Sequence, residues 1–162
     1  MPELIVTEKL QPCLLDRLSD DEPNNSQETR AQRVISIQRY RQGVLRDLEW
    51  LFSASAHLAQ EGKETFSIDD FPEAKRSVIN FGTRHLFGLM APNLRELERN
   101  LTEALCAFEP RILRNTLKVG VKMEANMIQL DIDGELWANP LPEHLHIKTT
   151  LDLESGFCAV GP

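Results

Sequence analysis

Phe108-Glu109-Pro110-Arg111 is where the periodicity of this chain changes. Upstream, Leu94, Leu97, Leu101, Leu105 and Phe108 recur at three- and four-residue spacing, which predicts an amphipathic helix. Downstream, Leu113, Leu117, Val119, Val121 and Met123 are interleaved with Arg114, Thr116, Lys118 and Lys122, which predicts a strand over Arg111–Met123 with Gly120 as a candidate bulge. Proline cannot continue a helix from an interior position, and it disfavours helical geometry at Glu109. The acid and the base therefore flank a stiff corner. Two readings follow from the residues alone. The corner is a site whose side-chain directions are set by backbone, or it is an ordinary breaker between two solvated charges. As an exposed ion pair, the two charges would contribute only about 0–1 kcal/mol.

Working back from the corner, Asn93 stands as an N-cap with Glu96 three residues on. A short helix over Ala74–Phe81 is predicted to close at Gly82. Between Val34 and His57 the pattern is strongly helical: Val34, Ile37, Tyr40, Val44, Leu45, Leu48, Leu51 and Phe52 share an arc of ~140° at ~100° per residue. Glu61-Gly62-Lys63 supplies a C-terminal stop. Trp50 points away from that stripe, with Ile35 on its side, toward either an interface or a second core layer.

Residues 1–9 read as an unanchored tail, and Pro12 opens a short helix with Leu14, Leu15 and Leu18 on one side and Asp16 and Arg17 outward. Ser19 to Arg33 carries Asp20-Asp21-Glu22-Pro23-Asn24-Asn25 and almost nothing apolar, a solvated linker. Residues 1–33 are thus expected as a docking helix plus linker, and 34–162 as one domain.

Beyond the corner the period stays at two. Ile128, Leu130, Ile132 and Leu136 form a second strand pattern, and Leu145, Ile147, Thr149, Leu151 and Leu153 a third. Phe157–Val160 is a candidate fourth strand. Helices first and a meander last make the expected class α+β, with helices packed on one face of a small, mainly antiparallel sheet of three to four strands. The other face, bearing Asp131, Asp133, Glu135 and Lys148, would stay wet.

Bulk properties narrow the function. With 162 residues and 41% hydrophobic content, the chain can bury one sizeable core. A net charge of −7 lacks the basic footprint of a general nucleic-acid binder, though a local basic patch is compatible with it. No run approaches 18 apolar residues, and the N-terminus has no signal-peptide pattern, so a cytoplasmic, reduced setting is expected. Cys13, Cys106 and Cys158 have no metal-ligand spacing. Of the four histidines, His144 and His146 share a strand face, but i,i+2 spacing alone is weak ground for a metal. Asp69-Asp70 is better explained as a cap or turn than as a calcium loop. No cofactor motif is present.

Several segments together resemble the phage gene-25-like family of baseplate wedge proteins, which includes a baseplate subunit of type VI secretion systems. They are Leu14-Leu15-Asp16-Arg17-Leu18, Arg46-Asp47-Leu48-Glu49, Ser77-Val78-Ile79-Asn80-Phe81-Gly82, Phe108-Glu109-Pro110-Arg111, and Leu151-Asp152 with Ser155-Gly156. One departure stands out: Phe52-Ser53-Ala54-Ser55 occupies the place of the family's asparagine-threonine-arginine ending. The resemblance implies a structural, non-enzymatic component of a contractile injection machine, docked at a membrane only through the assembled baseplate. It implies other wedge subunits and sheath proteins as partners, with no small-molecule substrate. Glu109, Pro110 and Arg111 would be assembly contacts, and the helix with Leu14, Leu15, Arg17 and Leu18 would join the wedge.

Two other functions stay open. A peptidoglycan hydrolase of lysozyme type needs two carboxylates about 5–9.5 Å apart across a sugar cleft, one of them protonated. Glu109 is poorly suited to that part, because a neighbouring guanidinium favours the ionised form. The third possibility is an unrelated interaction scaffold. On the baseplate reading, the domain would start sheath assembly by offering an unclosed sheet edge to a foreign strand, with Arg111–Met123 and His144–Leu153 as the candidate edges.

Overall fold

The computed structural model describes residues 10, 13–18, 35–56, 68–87, 93–124, 127–138, 142–152 and 158–161. In chain order these form helices α1 (Leu14–Leu18), α2 (Ile37–Ser53), α3 (Pro72–Lys75) and α4 (Leu94–Phe108), then strands β1 (Lys118–Glu124), β2 (Met127–Leu136), β3 (Glu143–Asp152) and β4 (Cys158–Gly161). The strands make one antiparallel sheet in the order β1-β2-β3-β4. The fold is therefore α+β, as the periodicities predict. The tail of residues 1–9, Pro12, the Ser19–Arg33 linker and the Gly62 stop lie outside the described residues.

The sheet's inner face follows the period-two pattern. Ile128, Leu130, Ile132 and Leu136 of β2 and Leu145, Ile147 and Leu151 of β3 are buried. Helix α4 lies against β1 and α2 against β4. They bring Leu97, Leu101 and Leu105, and Val44, Leu48, Leu51 and Phe52, into the same core. Each such side chain, taken fully out of water, contributes about 1.5–3 kcal/mol.

Several boundaries differ from the sequence reading. Helix α2 starts at Ile37, capped by the Ser36 hydroxyl, which accepts from the Arg39 N–H. Ile35 is not helical: it forms an antiparallel bridge with Leu10, and both are buried. At its other end α2 stops at Ser53, well before His57, because its last carbonyls find partners elsewhere. The Thr83 N–H donates to Leu51 O and the Arg84 N–H to Ala54 O. Gly82 makes that approach possible. Its φ is +116°, and a Cβ there would sit 2.4 Å from Ala54 O.

The predicted Ala74–Phe81 helix is two shorter pieces, α3 and a 3₁₀ turn over Val78–Asn80. Asn93 does occupy the N-cap of α4, but its side chain makes no capping bond. The first strand is shorter than Arg111–Met123. It begins at Lys118, after a turn in which Ile112 bridges Leu136 and the Thr116 N–H donates to Leu113 O. Gly120 pairs in register with Asp131, so it is no bulge. β3 pairs on both sides, so of the two candidate edges His144–Leu153 is interior; the outer strands are β1 and β4.

Candidate functional site

The corner is more buried than an exposed ion pair. Glu109 is 3% exposed and the Arg111 side chain 18%, whereas Pro110 faces solvent. Backbone fixes the position first. The Trp137 N–H donates to Arg111 O at 2.7 Å and the Leu113 N–H to Glu135 O at 2.8 Å, stitching the corner to the end of β2. Arg111 then forks. Its Nε donates to Glu109 Oε1 at 2.6 Å, and its Nη2 binds both Glu109 Oε2 and, at 2.7 Å, Asp47 Oδ2 of α2. The reading of two solvated charges is thus overturned. Glu109 follows the last helical turn of α4, whose stripe carries it inward, and a buried carboxylate needs a partner. Burial works against the charge of Arg111, yet Glu109 and Asp47 more than offset it and raise its pKa.

The ion pairs continue away from the corner. Asp47 Oδ1 accepts from Arg46 Nε at 2.9 Å and lies 2.8 Å from its Nη2. Arg46 Nη1 binds Asp16 Oδ1 of α1 at 2.5 Å, and its guanidinium sits 5.1 Å over the Trp50 ring. The bond to Asp16, more than any other cause, raises the pKa of Arg46. In turn the Arg46 side chain is the main reason the Asp16 carboxyl is held below its ordinary value. The Cys13 thiol donates to Asp16 Oδ2 at 3.1 Å. Asp16 was expected to face outward; it faces the domain because Arg46 offers a charge there, and the leucines of α1 take the outside. Leu14 is 69%, Leu15 45% and Leu18 75% exposed, and Arg17 is exposed too.

Between α1, α2 and the corner lies an open apolar cleft of about 760 Å³, lined among others by Leu10, Leu15, Trp50, Phe108, Pro110 and Trp137. Tyr40 closes its floor: its hydroxyl donates to Trp137 O at 3.0 Å, and burial raises its pKa. The structure thus brings Glu109, Pro110, Arg111 and Leu15 to one cleft, while Leu14, Arg17 and Leu18 face solvent beside it.

Sequence reasoning did not single out Arg46, Asp47 and Tyr40 as site residues. The available signal was the Arg46-Asp47-Leu48-Glu49 motif, with Gly43 and Asp47 one helical turn apart and off the core stripe. Nothing in the chain says that Asp47 meets Arg111, 64 positions away.

A second polar cluster lies on the wet face of the sheet. His144 Nε2 is 2.9 Å from Asp133 Oδ1, and His146 Nδ1 is 3.5 Å from Asp131 Oδ1. Among the described residues, no group of three or more His, Cys, Asp or Glu side chains is placed to hold a metal ion. Also among them, no helix is long and apolar enough to cross a membrane.

The described residues thus make a small α+β domain with a buried corner of ion pairs beside an apolar cleft. More particularly, the family described as "Baseplate wedge protein gp25" matches residues 38–141, most of the chain, and the protein belongs to that family. The matched span holds Arg46, Asp47 and the whole corner, and stops short of α1 and of β3 and β4. Neither the curated proteins nor the solved structures contain a match.

Proposed function

We propose that this protein is the gp25-like baseplate subunit of a type VI secretion system, the position held by TssE, and that it starts sheath assembly by accepting a strand. It works in the bacterial cytoplasm, in a baseplate docked at the membrane, and is not an enzyme. Its partners are other wedge subunits, met by the leucines of α1 and by the corner, and sheath proteins, met at the sheet. It needs no cofactor. The chain divides into an N-terminal docking part, 1–33, and the baseplate domain, 34–162.

The observation that carries this reading is the sheet order, which ends on β1 and β4. An outer strand has unpaired N–H and C=O groups that template another strand. On β1, the Val121 N–H is already taken by Glu98 Oε1 of α4 at 3.1 Å, which favours β4 as the accepting edge. Against hydrolysis stands the occupation of both carboxylates at the cleft: Asp47 and Glu109 are bound by the same guanidinium.

The test is a proline scan over Cys158–Val160 and over Val119–Met123, because proline deletes one donor and leaves most side chains in place. In cells carrying the sheath genes, one outward-facing proline in β4 leaves the isolated protein folded and stops sheath polymerisation. If every fold-preserving proline still permits sheaths, strand addition is wrong.

A further inference from the structure

The corner and α1 are far apart in sequence, yet they share one seat on α2. A Cβ built on Gly43 would lie 3.6 Å from Asp16 Oδ2 and 3.8 Å from Arg111 Nη1, so both charged groups rest over the same glycine. Between them the carboxylates and guanidinia alternate without a break: Glu109, Arg111, Asp47, Arg46, Asp16. We propose that the Glu109–Arg111 corner is a clamp for α1: it fixes Asp47, Asp47 fixes Arg46, and Arg46 holds Asp16, so that the corner sets where Leu14 and Leu18 point.

Three physical points support this. First, a five-residue helix does not hold its own shape in water, so α1 exists because it is docked. Its docked and released forms are therefore two discrete states. Second, the outward leucines contribute little to that docking, since Leu14 and Leu18 are among the most exposed apolar side chains described. Among the described contacts, those that tie the helix to the domain include Asp16 on Arg46, the Cys13 sulfur accepting from Arg46 Nη2 at 3.5 Å, the rim contact of Leu15 in the cleft, and the Leu10–Ile35 bridge just upstream. Third, a lone exposed ion pair is weak because two long side chains must be ordered for it. Here Arg46 is already ordered by Asp47 and by Trp50, and Asp47 by Arg111, so the entropy cost falls before Asp16 binds. Glu109, almost fully buried, accepts from the Arg111 backbone N–H at 3.2 Å and from its guanidinium, which ties the buried carboxylate to the head of this chain of contacts. In this scheme Glu109 and Arg111 are positioning residues for a docking surface made by α1. The inference rests on the reading of the α1 leucines as partner contacts only for its biological consequence.

The test uses hydrogen exchange at the Arg17 amide, which donates to Cys13 O at 3.1 Å and loses that bond when α1 is released. Its rate is followed by NMR in the full chain and divided by the intrinsic rate of the same unfolded sequence. Asp16→Asn should lower the protection about fivefold, and Glu109→Gln with Arg111→Gln about two- to threefold. With Asp16→Asn already present, the corner change should add much less than it does alone, because its effect travels mainly through that bond and only weakly through the long Arg46–Cys13 contact. Arg111→Lys serves where the double glutamine variant does not fold. It keeps Glu109 paired but cannot fork to Asp47, and it should give the same pattern. Unchanged Arg17 protection in a folded corner variant, or an equal loss with and without Asp16, overturns the clamp. Leu14→Asp with Leu18→Asp separates the two ideas. If it leaves wedge partners co-purifying, the leucines are not the contact, while the exchange result stands by itself.

Discussion

The corner and the wet face of the sheet both set acids against bases at hydrogen-bond distance, and they differ in what surrounds them. Glu109 is 3% and Arg111 18% exposed, with backbone bonds to β2 holding the turn in place. His144 is 68% and Asp133 42% exposed, on the polar face of the sheet. Water already solvates the second pair, so its members gain little by meeting. At the corner, water has been removed, and each charge depends on the other to offset its desolvation. Distances alone would have ranked the two pairs as equals.

The largest effect that would sharpen this contrast is Arg111→Ala. It strands the buried Glu109 carboxylate and should cost about 3–5 kcal/mol, read as a shift of the urea midpoint at constant slope. A loss below ~1 kcal/mol would return the corner to the class of solvated pairs. Next comes Tyr40→Phe, which leaves Trp137 O beside the corner without its donor. A loss of about 1 kcal/mol is expected by the same measurement. On the wet face, His144→Ala and Asp133→Asn should each stay within ~0.5 kcal/mol of wild type. A cost as large as that of Arg111→Ala would break the comparison.

The smallest effect concerns pH. Asp16 has its carboxyl lowered below 3.8 in the folded protein, chiefly by Arg46, so its contribution is present above 3.8 and is lost as pH falls through the folded value. Protection of the Arg17 amide, corrected for intrinsic exchange, should therefore be level down to about pH 4 and drop below it. In Asp16→Asn the drop should be absent.

Much of the architecture was legible because it depends on local periodicity. The stripe from Leu94 to Phe108 and the alternation from Ile128 to Leu136 each mark one buried face, and both elements formed where the pattern lies. Misreadings fell where a distant segment overrode a local preference. Helix α2 ended at Ser53 because Thr83 and Arg84 supply donors to its last carbonyls. Residues 111–117 left the strand because Ile112 and Leu113 pair with the end of β2, which the alternation of side chains does not encode. The motif containing Gly82 was visible, but its close approach to Ala54 O was not.

By itself, then, the amino-acid order determined the class of fold, the register of the sheet's two faces and the position of the corner. These depend on hydrophobic period and on proline's covalent geometry, both properties of neighbouring residues. Tertiary structure alone decided that Glu109 is buried, that Arg111 joins it to Asp47, that Asp16 turns inward, and that β1 and β4 are the edges. The reason is physical: desolvation and ion pairing depend on which residues meet across the fold, and no local pattern in a single chain records the meeting of positions 16, 46, 47, 109 and 111.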